Sequence, residues 1–361
     1  MVWNRIVTRH LSLLMVLAPA CGAEPASAPV SVGAELAAGL PAPGRGQIRE
    51  FQIPTFPEGP VFPQQIVTGP DDQLWFTTGF AYLARMSPET HSTSLVPVPT
   101  TAFRIIVGPD RHLWFGTGTG VARLSPRTGD VVQIPIPALG FFADLAAGPD
   151  DAVWVLGAES LVRVAIDGST TVFPIPDEFG SSGDRLVAGP DGNLWFSRGA
   201  DSAPSFYRVT RRGVITAFPV ATQGGIEGLA VGPDRAIWYT QGGGLPGENA
   251  IGRIAMDGVT STVVQLPDSD TTQPNPPSNM PIAITAGPDR KMYFTTYFVQ
   301  PLNYIGQVTP RGELTTFDIP TSGAASFGIT PGPDGNIWFT ENFNARIGRL
   351  ILGREAGGPG Q

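Results

Sequence analysis

The chain has 361 residues, of which 15% are charged, with 45 glycines, 37 prolines and a formal net charge of -8. This composition fits a turn-rich all-β protein. The acidity and the single lysine, Lys291, argue against a nucleic-acid-binding surface, and a lone cysteine, Cys21, excludes an internal disulfide.

The N-terminus reads as a targeting segment. Arg5 and Arg9 precede the short apolar run 11–17, followed by Ala18-Pro19-Ala20-Cys21. Residues 1–20 are therefore expected to be a signal peptide of the lipoprotein type. Cys21, directly after the cut, would carry the lipid that anchors the protein to a membrane of the bacterial cell envelope. Ala18 departs from the Leu usual three residues before such a cysteine, and ordinary cleavage after Ala20 to give a soluble periplasmic or secreted protein is the alternative. Residues 21–47, rich in Ala, Pro and Gly, read as a tether.

From residue 48 the chain repeats. Gly-Pro-Asp occurs at Gly69, Gly108, Gly148, Gly189, Gly232, Gly287 and Gly332, with spacings of 39, 40, 41, 43, 55 and 45 residues. Six residues after each glycine stands Trp75, Trp114, Trp154, Trp195, Trp238, Tyr293 or Trp338. A period near 40 marks one supersecondary unit repeated in a ring or solenoid. Pro pre-sets a turn and Asp favours its third position, while Gly allows the exit. A β-rich strand such as Asn336-Ile-Trp-Phe-Thr-Glu341 follows, then a third strand (Arg346-Ile-Gly-Arg-Leu-Ile-Leu352). A fourth is seen in earlier copies, as in Leu314-Thr-Thr-Phe-Asp-Ile-Pro320. Four antiparallel strands per repeat make one blade of a β-propeller.

Seven fourth-strand segments end in Pro, and the first, Phe51-Gln-Ile-Pro54, precedes any turn motif, while the chain ends after a third strand. The expected fold is thus an all-β, seven-bladed propeller over residues 48–352, closed by Arg49–Ile53 pairing with Arg346–Leu352 so that no sheet edge stays exposed. Residues 353–361 read as a tail.

The candidate site follows from the hairpin geometry. Residues seven before and seven after each turn Asp are expected to face each other at the far end of the blade's first hairpin, rimming one channel mouth. The first slot holds Gln64, Phe103, Ala143, Asp184, Glu227, Ile282 and Phe327; the second holds Thr78, Thr117, Gly157, Arg198, Gln241, Thr296 and Glu341. Asp184 with Arg198 and Glu227 with Gln241 form a polar sector, and Phe103 and Phe327 add apolar surface. The longest loops, 198–205, 241–249 and 268–281, emerge on the same face, where binding residues usually sit. An ion pair of purely structural purpose between Asp184 and Arg198, and a Glu341 that caps loop backbone, are the bland alternatives. After export only His91 and His112 remain, both in turns away from this mouth, and no Ser-His-Asp, Cys nucleophile or His-rich metal set is available.

Gly332-Pro-Asp-Gly-Asn-Ile-Trp-Phe-Thr-Glu341 followed by Asn344-Ala-Arg-Ile-Gly-Arg-Leu350 resembles the virginiamycin B lyase (streptogramin B lyase) family. Gly189–Phe196 and Asn249–Ile254 repeat the pattern. The resemblance covers about residues 48–352. It implies a Mg²⁺-dependent elimination that opens a cyclic depsipeptide ester, with a base to take a proton and a cation to hold the enolate. It also implies a His in the first slot of the last blade, here Phe327, and a Glu in its second, here Glu341. A further Glu would stand where this chain has Ala325, and a His in the preceding blade's first slot, where it has Ile282.

The expectation is a lyase-like propeller, monomeric, that binds a small molecule, glycan or peptide at the loop-rich mouth without the family's histidines. One alternative is an active lyase with a rebuilt site. In it Glu341 and Glu227, with Asp184, would hold Mg²⁺ and one carboxylate would serve as base. Another is a structural or protein-interaction ring.

Overall fold

The computed structural model describes residues 47–176, 185–198, 205–220, 224–243, 248–266, 280–297 and 303–353. Within them lie seven four-stranded antiparallel sheets, each strand paired with its neighbour in sequence except where the ring closes. We number the blades by their first strands: Ile66–Thr68, Ile105–Val107, Phe142–Ala147, Arg185–Ala188, Gly225–Val231, Met280–Ala286 and Ile329–Pro331. Each first strand touches that of the next blade, and the seventh touches the first, so the blades form a closed ring. Cys21, the expected signal and tether, and the tail beyond Gly353 lie outside the described residues.

The repeat is held together at its turn. In blade 1 the Gly69 N–H donates to Gln73 O at 2.7 Å and the Asp72 N–H to Gly69 O at 3.1 Å. The turn's exit residue has positive φ in every blade, and only blades 4 and 7 place glycine there (Gly192, Gly335); the others use Asp72, Arg111, Asp151, Arg235 and Arg290. The sequence expectation of an exit glycine thus holds for two blades. The side chain of the motif's Asp explains the rest. Asp71, Asp110, Asp150, Asp191, Asp234 and Asp334 each accept the indole N–H of the blade's Trp at 2.9–3.2 Å, and Asp289 accepts the Tyr293 hydroxyl at 2.8 Å. An arginine of the third strand reaches the same carboxylate in five blades, as Arg163 Nε does to Asp150 at 2.5 Å. The motif glycine is required by this arrangement: a Cβ on Gly148 would stand 2.3 Å from Trp154 Cδ1.

The aromatic residue so fixed is buried and packs into the next blade. Trp75 shares a cluster with Ile105, Leu113 and Phe115 of blade 2. Trp338 shares one with Ile66, Leu74 and Phe76 of blade 1. Second strands such as Leu113–Thr117 are buried on both faces, which is why they read as unbroken apolar runs rather than as alternation.

Ring closure follows the expected phase shift. Gln47–Gln52 pairs with Arg346–Ile351, Gln47 opposite Ile351 and Gln52 opposite Arg346, and the Ile53 N–H continues to Ala345 O at 2.9 Å. Side chains reinforce the clasp. Glu50 accepts the Thr321 N–H at 2.9 Å and its hydroxyl at 3.0 Å, with Arg346 Nη1 at 3.4 Å. Phe51 stacks on His91 of blade 1 at 3.8 Å, and the Arg349 guanidinium lies 5.2 Å from the Phe51 ring and 5.1 Å from that of Trp338.

Candidate functional site

One feature of the inner strands reorders the mouth expected from the sequence. Each first hairpin that is described at this level carries a β-bulge near its far end. In blade 1 the Gln64 N–H donates to Thr77 O and the Thr77 N–H to Gln65 O, so two residues oppose one. In blade 2 Phe103 and Arg104 oppose Gly116 in the same way. The register shifts between Phe142 and Asp144, between Ile226 and Gly228, and between Pro281 and Ile284. As a result Gly157 faces Phe142, Gln241 faces Ile226 and Thr296 faces Pro281, not Ala143, Glu227 and Ile282 as the slot count predicts. The slot pairing is corrected by one residue in these blades. The second strand supplies a reason: Thr77, Thr295 and Thr340 hydroxyls accept the N–H groups of Gln65, Ala283 and Gly328 at 3.0–3.1 Å, giving the bulge residue a partner the ladder withholds.

The bulge re-aims the residue after the first slot, which the sequence reading did not single out. Arg104 Nη1 donates to Gln65 Oε1 at 2.6 Å in blade 1 and its Nε pairs with Asp144 Oδ1 at 3.3 Å in blade 3. Gln65 in turn donates to Phe327 O of blade 7 at 3.1 Å. Asp144 also accepts the N–H groups of Leu145 at 2.9 Å and of Leu186 in blade 4 at 3.1 Å. Arg185 donates to Glu227 O at 2.5 Å and lies 3.6 Å from its carboxylate in blade 5. A polar belt thus runs along the inner wall through six blades. Burial, with the nearby Arg185 charge, pulls the Arg104 pKa down to about 10 against the opposing pull of Asp144 and Glu227.

The expected polar sector is described in part, and in that part Gln241 faces Ile226 rather than Glu227. Asp184 lies outside the described residues. Arg198 is buried, and its Nη2 donates to Gly157 O of blade 3 at 2.6 Å, which makes it a tie between blades. Gln241 is buried and donates to Glu248 O at 3.0 Å, holding the end of its own loop. Glu227 is half-buried and engaged with Arg185. Phe103 is exposed and packs on Phe142 at 6.2 Å; Phe327 is half-buried beside Tyr297 at 5.4 Å. His112 contacts Asp110 at its turn and His91 stacks in the clasp, both away from this mouth as expected.

Glu341 ends the second strand of blade 7 and is 0% exposed, with the Glu50 carboxyl as its polar neighbour. Burial pushes its pKa up to about 8, with the Glu50 carboxylate adding to the rise and Arg346 opposing it. At neutral pH Glu341 is therefore a neutral acid. A magnesium ion does not fit here. Ala325 offers no donor, Glu341 is sealed, and among the described residues no group of three His, Cys, Asp or Glu side chains comes together.

The virginiamycin B lyase family model matches residues 42–181 and 177–355. A virginiamycin B lyase of Nocardia farcinica (strain IFM 10152) is 30% identical over 197 residues, 55% of this chain and 61% of that relative, so the match spans well under the full length of either. Among solved structures, a streptogramin B lyase superposes with a TM-score of 0.71 at 25% identity, covering 85% of this chain and 98% of its own. The virginiamycin B lyase of Staphylococcus aureus gives 0.71 at 23% identity, covering 85% and 100%. A catalytically inactive histidine-to-alanine variant of the latter, crystallised with quinupristin, gives 0.70 at 23% identity, again covering 85% and 100%.

Proposed function

The chain belongs to the virginiamycin B lyase family, and from that premise we propose that it is a lyase-like binding propeller of the cell envelope. It takes a small molecule, glycan or peptide at the mouth formed by the second-to-third loops and does not run the family's elimination. The observation that carries this reading is Phe327. The family resemblance calls for a proton-accepting His at that position, and a phenyl ring accepts no proton. The preceding blade repeats the loss with Ile282, which is buried. Glu341 keeps the family's residue type, but a carboxyl that is 0% exposed and neutral at pH 7 neither takes a substrate proton nor binds a cation from the channel.

General acid–base help is worth about 10²–10⁴ in rate, and this chain lacks it where the family supplies it. The test is direct. Purified protein with Mg²⁺ is incubated with a type B streptogramin such as quinupristin, and ring opening is followed by mass. The expected result is no opening above the uncatalysed rate. Robust opening that is lost in Glu341→Gln would establish the rebuilt-lyase alternative instead.

A further inference from the structure

The mouth that carries the second-to-third loops has a low wall. In blades 2 and 3 only Gly118-Thr119 and Ala158-Glu159 join the second strand to the third, whereas blades 4, 5 and 6 use residues 199–204, 243–249 and 298–303. Three phenylalanines are exposed among the described residues, and all three lie on this face: Phe103 at 43%, Phe141 at 69% and Phe343 at 57%. Two of them, Phe103 and Phe141, flank the low wall. The sector is built for aromatic surface. Gly116 lacks the side chain that would strike the Phe142 ring, since a Cβ there would stand 2.1 Å from it, and the Phe103 ring stacks on Phe142 at 6.2 Å. Exposed apolar surface gathered in one place is a mark of a binding site.

Directly after Phe103 comes Arg104. Its Nη1 donates to Gln65, its Nε pairs with Asp144, and the side chain stays 23% exposed. The Asp144 carboxylate beside it already receives two backbone N–H groups. Asp144 shares its charge with those two N–H groups, so a ligand carboxylate can add to the compensation of the part-exposed guanidinium, whose planar fork matches a carboxylate in geometry.

We propose that Arg104, Phe103 and Phe141 form a subsite for an aromatic carboxylate, with the anion on the Arg104 guanidinium and the ring against the two phenylalanines. The proposal rests on the reading of this face as a ligand-binding mouth and names the ligand's chemistry. It requires no metal and no covalent step.

The probes are N-acetyl-L-phenylalaninate and N-acetyl-L-phenylalaninamide, which differ in charge and hardly in shape, titrated by calorimetry and ligand-detected NMR. The acid is expected to bind about tenfold more tightly than the amide, a charged hydrogen-bond pair set against a neutral one. That preference should shrink as salt is raised. Arg104→Met should abolish the preference. Phe141→Ser, at a position exposed enough to leave folding intact, should weaken acid and amide alike while keeping their ratio. Equal binding of the two probes, a ratio indifferent to salt, or no binding of either at millimolar concentration overturns the subsite. If acid and amide bind equally and Phe141→Ser weakens both, the mouth reading stands and the anion subsite falls. If Phe141→Ser changes neither, the ligand is elsewhere and both fall.

Discussion

The Glu50 carboxylate accepts the backbone N–H of Thr321 at 2.9 Å across 271 residues of chain. It thereby ties the strand that opens the ring in sequence to the loop that leads into the last blade. The same carboxylate takes the Thr321 hydroxyl and Arg346, so one side chain bridges blade 6, blade 7 and the closing strand.

Glu50→Ala should therefore loosen the clasp. Removing a charged acceptor leaves the Thr321 N–H and Arg346 without it, at a cost of about 1–3 kcal/mol. Urea unfolding should show a lower midpoint, and limited proteolysis should open the chain first near the closing strand. An unchanged midpoint would mean that the backbone ladder alone closes the ring.

Glu341 predicts an alkaline weakness. Its folded pKa, about 8, lies above the ordinary value of 4.5. The folded state therefore keeps a proton that the unfolded chain releases. This contribution to stability is fully present below about pH 4.5 and declines as pH rises, until it is gone above about pH 8. Glu341→Gln cannot ionise, so the stability of the variant relative to wild type should climb across that window and level off above it. Unfolding midpoints measured at half-unit steps from pH 4.5 to 9.5 would reveal the trend, and parallel curves would refute it.

The turn aspartates act in the opposite sense. Burial would raise the Asp150 pKa, but hydrogen bonds from Arg163 and Trp154 outweigh it and hold the group below its ordinary value of 3.8. Asp334 behaves likewise, with Asn336 and Trp338 as its donors. Their stabilisation is present above about pH 4 and is lost as pH falls through the lowered values. At pH 7, Asp150→Ala should cost about 1–3 kcal/mol, because it strands a buried indole N–H and an arginine. It should also blunt the acid limb of the stability curve.

Gly148→Ala tests the same latch sterically. The new Cβ would overlap Trp154 Cδ1 at 2.3 Å, and displacing an indole from a packed blade interface costs about 1–3 kcal/mol. A quenched or shifted Trp emission with a lowered midpoint is the expected readout.

Cys21→Ser should move the exported protein from the membrane to the soluble fraction, since a lipid chain is the anchor the sequence offers. Wild type found wholly soluble after export would end the lipoprotein proposal.

Blade number, turn position and the phase of ring closure were all readable from the amino acids alone. The reason is that a propeller repeats one local solution: a Gly that clears an indole, an Asp that binds it and an apolar strand behind. Each copy confirms the others, and the early Phe51 segment with no turn of its own leaves one pairing to satisfy. The mouth was not readable in that way. A bulge of one residue shifts every side chain beyond it to another direction; it brings Arg104 and Asp144 into a belt, and it sets Ile226 rather than Glu227 opposite Gln241. The Thr two residues after the blade's Trp or Tyr, at Thr77, Thr295 and Thr340, was the available signal, because its hydroxyl accepts the bulge N–H. Exposure was decided only by packing between blades. Arg198 and Glu341 look like rim residues in the sequence, yet both are buried, whereas Phe103 stands open as expected and Phe141, which nothing in the repeat singles out, is more exposed still. Local patterning determines a strand, but which of its ends is sealed depends on loops contributed by residues far away in the chain.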